Sequence, residues 1–371
     1  MTAAAARFVA PLTFQALSGH SVHSELLDPD QEQAMSHNHL ARWADLLLIA
    51  PATADTLAKL AHGLTDNLLT VTALAATCPL VIAPAMDGGM FDAPATQANL
   101  ATLIERGAMV VGPAEGHLAS GLLGKGRMSE PAEVLGRIRM ALGKKEKLAG
   151  RKIVVTAGGT QEPLDPVRVL TNHSSGKQGY ALAQAALDLG ADVCLISTPT
   201  ALTAPVGARL APVRTAEEMK DAVLAECADA DALVMAAAVA DFRPKHVAAD
   251  KMKKRDGIPQ IELEAAPDVL KAVAGLRLAL SEAEGSKKKP RVVVGFAAES
   301  RDLLDNASEK LKSKNLDLIV ANDISAADAG FGAETNRVTL LFADGRKESL
   351  PLMEKSEVAE VILRTVATLL E

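Results

Sequence analysis

Lys152–Gly179, KIVVTAGGTQEPLDPVRVLTNHSSGKQG, joins a short β-branched run to two glycine-bearing turns and a dense set of polar side chains. Ile153–Thr156 has the composition of a buried parallel strand, and Gly158 and Gly159 end it. Glycine lets backbone N–H groups approach an anion. Asn172, Ser174, Ser175, Gly176 and Lys177 open the next helical pattern, where a helix N-terminus favours phosphate. A strand, turn and helix of this chemistry point to a nucleotide site in an α/β fold. The spacing matches neither a Walker A loop nor the glycine fingerprint of dinucleotide-binding folds. An ordinary α/β strand-turn-helix explains the two glycines more readily than it explains the run NHSSGK.

Outward from this stretch, strands and helices alternate in both directions. Upstream, the pattern predicts strands at Leu46–Ala50, Leu80–Ala83 and Met109–Val111, with helices from about Asp55 and at Ala95–Arg106. Downstream it predicts a helix at Gly179–Leu189, a strand at Val193–Ser197, a helix at Ala216–Cys227 and strands at Ala232–Ala236, Val292–Phe296 and Leu318–Val320. Arg337–Phe342 and Lys347–Pro351 read as an antiparallel pair around Ala343-Asp344-Gly345. Apolar strands alternating with helices imply parallel sheets covered on both faces. The fold class is therefore α/β, with two Rossmann-like doubly wound domains. Residues 1–142 form the first and 151–371 the second, joined by the glycine-bounded, charged linker 143–150, GKKEKLAG. Ser281–Lys289, SEAEGSKKK, reads as an exposed loop. Met1–Val9 is already helical in pattern, although a doubly wound domain normally begins with a strand and a phosphate-binding loop.

Composition narrows the function classes. The 371 residues are 49% hydrophobic, enough for two or three domain cores. A net charge of −7 gives no electrostatic footprint for nucleic acid, although local lysines such as Lys251, Lys253 and Lys254 can hold a small anion. Aromatic residues make up 2%, too few for a single-strand stacking platform. Cys78, Cys194 and Cys227 show no metal-type spacing and read as reduced structural thiols of a cytoplasmic protein. No apolar run approaches the ~18 residues of a membrane span, and no signal-peptide pattern opens the chain.

Further chemistry-bearing residues lie in the second domain. Asp241 follows a strand of small residues, where a carboxylate can accept from sugar hydroxyls or help hold a metal. Lys251, ten residues on, can pair with phosphate or developing negative charge. Gly295–Ser300, GFAAES, is again a strand end, with Phe296 available to stack. Lys310 and Lys314 are four apart on a helical pattern, so they repel each other unless an anion lies between them.

The motifs TAGGTxEPLDPVRxLTNHSSGKxG, AAVADF with DKxKK, GFAAE and KxxxKNLDLIVAND resemble, in order and spacing, the bifunctional phosphopantothenoylcysteine decarboxylase/phosphopantothenate–cysteine ligase family of coenzyme A biosynthesis. The resemblance runs over nearly the whole chain. It implies a ligase that uses CTP and Mg²⁺ to convert 4′-phosphopantothenate to an acyl cytidylate, which the amine of cysteine then attacks. Asn172 matches the asparagine of the acyl-cytidylate step, where an amide donor stabilises the intermediate without competing as a nucleophile. Asp241, Lys251, Phe296, Lys310 and Lys314 match nucleotide-binding positions, as does the turn Pro267, Asp268, Val269, Leu270. Lys251 also counts among the expected catalytic groups. Ala266 stands where the family often has Asn, which removes one side-chain donor. No residue is singled out as a metal ligand.

In the first domain, APATADTLAKL (50–60) and GLTDNLLT (63–70) resemble the family's flavin-binding motifs. The resemblance implies FMN contacts from Thr53 and Asn67, and contacts of Met86 and Asp87 with FMN or the substrate of decarboxylation. His37 matches the active-site histidine, a base or hydrogen-bond donor. The implied reaction oxidises the cysteinyl thiol, loses CO₂ and yields 4′-phosphopantetheine. Three departures stand out. Asp87 replaces the usual Asn in PAMD, Ser120 takes the place of the cysteine proton donor in GHLASGLLGKGRM, and the family's first strand with its glycine-bearing loop has no counterpart after Met1. A serine hydroxyl is a far weaker acid than a thiol. The expectation is that the reading frame begins at an internal methionine and that further upstream residues complete the flavin domain. Alternatives are a ligase whose flavin domain serves only assembly, and a non-enzymatic flavin- or nucleotide-binding regulatory module. The family also implies a homo-oligomer.

Overall fold

The computed structural model describes residues 1–26, 36–253, 257–282, 289–299, 303–323 and 333–371. Lys254, Ser300 and most of the predicted Ser281–Lys289 loop lie outside them. The chain divides into two compact units, Met1–Leu142 and Gly143–Glu371.

In the first unit, a 3-10 turn at Ala5–Arg7 precedes α1 (Pro11–Ser18), so the helical pattern expected from Met1 yields only a turn before Pro11. Proline at the first helical position sets the start, its fixed φ and missing N–H costing nothing there. The unit continues through α2 (Ser36–Trp43), β1 (Leu47–Ala52), α3 (Ala54–His62), α4 (Leu68–Ala75), β2 (Leu80–Pro84), α5 (Gly88–Asp92), α6 (Pro94–Glu105), β3 (Met109–Val110), β4 (Ala114–His117), β5 (Leu123–Arg127) and α7 (Pro131–Gly143). β1, β2 and β3 form a parallel sheet in that order. Successive β2 side chains enter opposite cores. Ile82 joins Leu57, Phe91 and Leu100 on one face, whereas Val81 and Ala83 join Val134 and Ala141 on the other. β4 and β5 make a separate antiparallel hairpin.

The second unit contains β6 (Lys152–Ala157), β7 (Gln161–Pro163), β8 (Val169–Thr171), α8 (Lys177–Asp188), β9 (Asp192–Ser197), β10 (Arg209–Pro212), α9 (Ala216–Cys227), β11 (Ala232–Met235), β12 (Phe242–Pro244) and β13 (Leu263–Ala265). It continues with α10 (Val269–Glu282), β14 (Val292–Glu299), α11 (Leu303–Ser313), β15 (Leu318–Asp323), β16 (Thr335–Asn336), β17 (Val338–Phe342), β18 (Lys347–Ser349), β19 (Met353–Glu354) and α12 (Lys355–Leu370). The central sheet runs β10-β9-β6-β11-β14-β15-β17-β18, parallel as far as β15 and antiparallel after it. The chain winds outward from β6 through β9 to β10, then returns to start at β11 and winds the other way. The order therefore reverses between β6 and β11, where open α/β sheets bind ligands at their carboxyl edge.

Alternation again covers both faces. Ile153 and Val155 of β6 pack with α8 and α12 residues such as Leu182 and Ile362, whereas Val154 packs with Met219 and Val273. The start of α9 agrees with the sequence pattern because the Thr215 side chain accepts from the Glu218 N–H and caps it. The expected linker 143–150 differs from its reading. Gly143 closes α7, and Leu148 is fully buried in the second unit's core. Its lysines and glycines outweighed one leucine in the sequence pattern, but that leucine is what the fold uses.

Candidate active site

A cleft of about 650 Å³ opens at the carboxyl edge of the second unit's sheet, at the reversal between β6 and β11. Two loops form its floor. Ala238 N–H donates to Gly158 O at 2.8 Å and Ala240 N–H to the Thr160 hydroxyl at 2.9 Å, so the loops after β6 and β11 are joined as an extension of the sheet. Thr171 Oγ1 donates to Thr160 O at 2.7 Å and brings the β7–β8 hairpin down onto them. Gly159 is required here, since a Cβ at that position would lie 2.8 Å from Asn172 O. Asn172 Nδ2 in turn donates to Val239 O at 3.2 Å. Its side-chain oxygen direction is thereby fixed, and the residue lines the cleft.

Beyond it, Ser174, Ser175, Gly176 and Lys177 lead into α8, whose N-cap Gly176 has φ 77° and offers no side-chain cap. The Lys177 N–H lies 3.5 Å from the Ser175 hydroxyl, and the first residues of α8, Lys177 and Gln178, line the cleft. The helix begins at Lys177, two residues before the predicted start at Gly179.

The structure gathers Asp241, Pro267, Asp268, Val269, Leu270, Phe296, Lys310 and Lys314 around the same cleft. Asp268 starts α10 by accepting from the Lys271 N–H at 3.0 Å, and it pairs with Lys314. Burial alone would raise the Asp268 carboxyl, but the Lys314 ammonium and the Lys271 amide outweigh it and hold it below the usual range. The expected Lys310–Lys314 repulsion is relieved differently from its sequence reading. α11 ends at Ser313, Lys314 turns to Asp268, and Lys310 donates to Phe296 O at 2.8 Å. Protein groups, an anionic side chain and a carbonyl, already meet the two charges.

Lys251 is placed apart. It lies exposed in the 248–252 segment, which the β7–β8 hairpin holds, and it is not among the residues lining the cleft. The sequence reading also passed over Gln178, Asn322, Asn336 and Lys355, all of which line it. Lys355 opens α12 and is almost wholly buried. Burial, with Lys177 nearby, pushes its ammonium below the ordinary lysine range. Nothing in EKSEVAE distinguished it from the start of a solvated helix. Its meaning comes from β16, where the Asn336 amide donates to Gln178 Oε1 at 2.9 Å while Gln178 Nε2 donates to Lys355 O at 3.2 Å.

In the first unit, Thr53 and Met86–Asp87 follow the neighbouring strands β1 and β2, and the Ala85 N–H donates to Ala52 O at 3.0 Å. Thr53 caps α3 through the Thr56 N–H, Asn67 caps α4 through the Thr70 N–H, and Asp87 caps α5 through the Gly89 N–H. Three helix N-termini are therefore closed by their own short polar side chains. Lys59 joins two of these motifs, pairing with Asp55 at 3.1 Å and Asp66 at 2.9 Å. His37 lies on α2, which packs against α4, and its buried Nδ1 has no partner. Such an atom fits a ligand that supplies the missing hydrogen bond.

The two unusual residues meet. Ser120 Oγ donates to Asp87 Oδ2 at 2.6 Å, and the Met86 N–H donates to Gly126 O at 3.0 Å, so the β4–β5 hairpin is attached beside α5. The Ser120 hydroxyl, then the Gly89 amide, hold the Asp87 carboxyl below its usual range. Among the described residues no cluster of three or more His, Cys, Asp or Glu gathers as a metal site.

Two family models divide the sequence. The flavoprotein family matches residues 1–143, and the DNA/pantothenate metabolism flavoprotein C-terminal domain family matches residues 148–370. Over 372 aligned residues the chain is 48% identical to the coenzyme A biosynthesis bifunctional protein CoaBC of Bacillus subtilis (strain 168), covering 100% of this chain and 89% of that one. A cysteine/cysteine sulfinic acid decarboxylase from an unknown prokaryotic organism is 42% identical, over 97% of this chain and 99% of its own length. Among solved structures, the C-terminal domain of a coenzyme A biosynthesis bifunctional protein is 39% identical with a TM-score of 0.49, covering 61% of this chain and 98% of that one. On the family model over residues 148–370 and the 48% identity over its whole length, the chain belongs to the family of bifunctional coenzyme A biosynthesis proteins.

Proposed function

We propose that this protein performs two successive steps of coenzyme A biosynthesis, ligating 4′-phosphopantothenate to cysteine in its second unit and decarboxylating the product in its first. The observation that carries the ligase reading is the single cleft joining Asn172, Asp241, the Pro267–Leu270 turn, Phe296, Lys310 and Lys314. CTP is the activating substrate. The carboxylate of 4′-phosphopantothenate attacks its α-phosphorus and expels pyrophosphate, and the amine of cysteine then attacks the acyl carbon and releases CMP. Lys310 and Lys314 bind and neutralise the nucleotide's phosphates, Phe296 stacks, and Asp241 accepts from hydroxyls. The amide of Asn172 stabilises the charge that develops on the acyl oxygen. Lys251 completes the charge balance from the 248–252 segment. Mg²⁺ would be held mainly by the substrate phosphates, with Asp241 a candidate carboxylate in the cleft, as is usual for that ion.

When bound in the first unit, FMN supplies the two-electron chemistry of thiol oxidation and its reversal. Thr53, Asn67 and Met86 would hold it. His37 offers Nδ1 to the thiol proton. The Ser120 hydroxyl donates its hydrogen bond to Asp87, so neither this hydroxyl nor the ionised carboxylate is a ready proton donor at this position.

A second reading of this unit has a specific support. The ionised Asp87 carboxylate can pair with the free ammonium of cysteine or cysteine sulfinic acid, the substrates in one relative's name. Comparing CO₂ release from free cysteine with release from the ligated product separates the two. Exposed Leu12, Phe14 and Leu17 on α1, a helix with no buried residue, support a homo-oligomer. None of the described helices is long and apolar enough to cross a membrane, and the substrates are those of the cytoplasm, where we place the protein.

Asn172→Asp tests the ligase assignment. The variant is expected to lose about a hundredfold in ligation rate, because a carboxylate repels the developing oxyanion that the amide stabilises. Full-rate ligation by this variant would remove Asn172 from the mechanism.

A further inference from the structure

The β7–β8 hairpin carries Asn172 at one end and, at its turn, grips a second segment of the chain. Asp165 sits in that turn with its side chain wholly buried. One carboxylate oxygen, Oδ1, accepts from the N–H groups of Val167 and Arg168, both at 2.8 Å, and shapes the turn. The other, Oδ2, accepts from the Met252 N–H at 3.2 Å. Arg168 completes the grip by donating through Nη2 to Met252 O at 2.8 Å. A third bond to this segment, Ala248 N–H to Leu164 O at 3.0 Å, holds its beginning. Both main-chain polar groups of Met252 are thus engaged by one turn, and Lys251 is the residue immediately before it.

A buried carboxylate that accepts three backbone N–H groups remains charged in the folded protein. Burial opposes the charge, but the Val167, Arg168 and Met252 amides outweigh it and hold the carboxyl below its usual range. A turn that needs only Val167 and Arg168 could be served by a neutral amide or a hydroxyl. The second oxygen has no such substitute, because the Met252 N–H requires an acceptor at that place.

We propose that Asp165 is a positioning residue for the ligase reaction, fixing the main chain at Met252 so that Lys251 is held in register with Asn172 on the same hairpin. This rests on the ligase reading above and goes beyond it, since Asp165 touches neither substrate nor reacting atoms. The chemistry needs such a device. Lys251 comes from an exposed segment without regular secondary structure, and misplacement of a charged group by about 1 Å can cost about a hundredfold in rate.

The test uses the full-length protein carrying Asp165→Asn. The amide keeps one oxygen for the Val167 and Arg168 N–H groups and turns its NH₂ toward the Met252 N–H, so it removes the carboxylate's share of the grip while preserving the turn. The inference predicts a fall in ligation kcat of about tenfold or more, with little change in KM for cysteine. It also predicts faster tryptic cleavage after Lys251 and Lys253, read by mass spectrometry, with an unchanged rate of cleavage elsewhere. Decarboxylation by the first unit, supplied with ligated substrate, remains at the wild-type rate, and an unchanged denaturant unfolding transition of the second unit reports that it is folded.

Wild-type kcat with wild-type cleavage would overturn the inference. So would a lower kcat without faster cleavage, which would make Asp165 a direct participant. If the unsubstituted protein shows no ligation at all, the ligase reading fails, yet the cleavage comparison still decides whether Asp165 holds this segment. A milder Asp165→Glu variant, which keeps two acceptor oxygens, is expected to restore slow cleavage at least in part; cleavage as fast as in Asp165→Asn would count against the carboxylate's role.

Discussion

Ser120 and Asp87 differ from the family pattern separately in the sequence, 33 positions apart, and the structure joins them in one hydrogen bond of 2.6 Å. The sequence made each look like an isolated loss, of a thiol acid and of a neutral amide. Together they form a donor–acceptor pair in which the Ser120 hydroxyl is tied to an ionised carboxylate, so neither position offers the acidity of a thiol. If that pair is a slower proton-delivery arrangement, restoring the usual pair should help. The double variant Asp87→Asn, Ser120→Cys is expected to raise decarboxylation by about tenfold or more and leave ligation unchanged, as measured by CO₂ release in the FMN-loaded protein. Decarboxylation that falls instead would assign the native pair an active role that a thiol cannot replace.

Other residues were legible to different degrees. Asn172, Asp241, Phe296, Lys310 and Lys314 stand in motifs with fixed spacing, and they line one cleft. Lys355 and Asn336 were not legible, since each is positioned by contacts with Gln178 that arise more than 150 residues away in sequence.

At the scale of elements, periodicity carried most of the information. β6, β9, α9 and β11 appear within one or two residues of their sequence readings because β-branched runs and the Thr215 cap act locally. The segment 143–150 did not, since its composition is that of a solvated connector and burial of Leu148 depends on the core it meets. Leu148→Ala is therefore expected to destabilise the second unit by about 2–5 kcal/mol, the cost of an unfilled core site, which denaturant unfolding would measure. A change near zero would restore the reading of this segment as a linker.

Electrostatics ties other elements together at the opposite edge of the sheet. Glu226 on α9 pairs with Arg209 of β10 and, at 3.1 Å, with Lys152 of β6. The Arg209 hydrogen bond, reinforced by Lys152, holds its carboxyl down at about 2, against an ordinary 4.5. A lowered folded-state value means that this contribution is complete above pH 4.5 and is lost as pH falls toward about 2. Partial solvation reduces it to about 1–2 kcal/mol. Glu226→Gln should therefore flatten the decline in melting temperature over that acid window, and a variant with the wild-type decline would show that other carboxylates govern it.

Across the whole molecule, two units with separate hydrophobic cores and separate site chemistry share one chain. The alternating pattern made the two α/β domains readable in the sequence. The order of the strands was not readable, because the reversal between β6 and β11 follows from crossover connections that no local pattern encodes. That reversal creates the cleft. The chain has a net charge of −7, yet four lysines, Lys177, Lys310, Lys314 and Lys355, line this cleft against two carboxylates, Asp241 and Asp268.

The most direct measurement is pyrophosphate release by the purified protein given 4′-phosphopantothenate, CTP and Mg²⁺, with and without cysteine. The account predicts release that requires both CTP and 4′-phosphopantothenate, followed on addition of cysteine by CMP and the ligated product. Absence of pyrophosphate under these conditions, in protein whose second unit is folded, would contradict it.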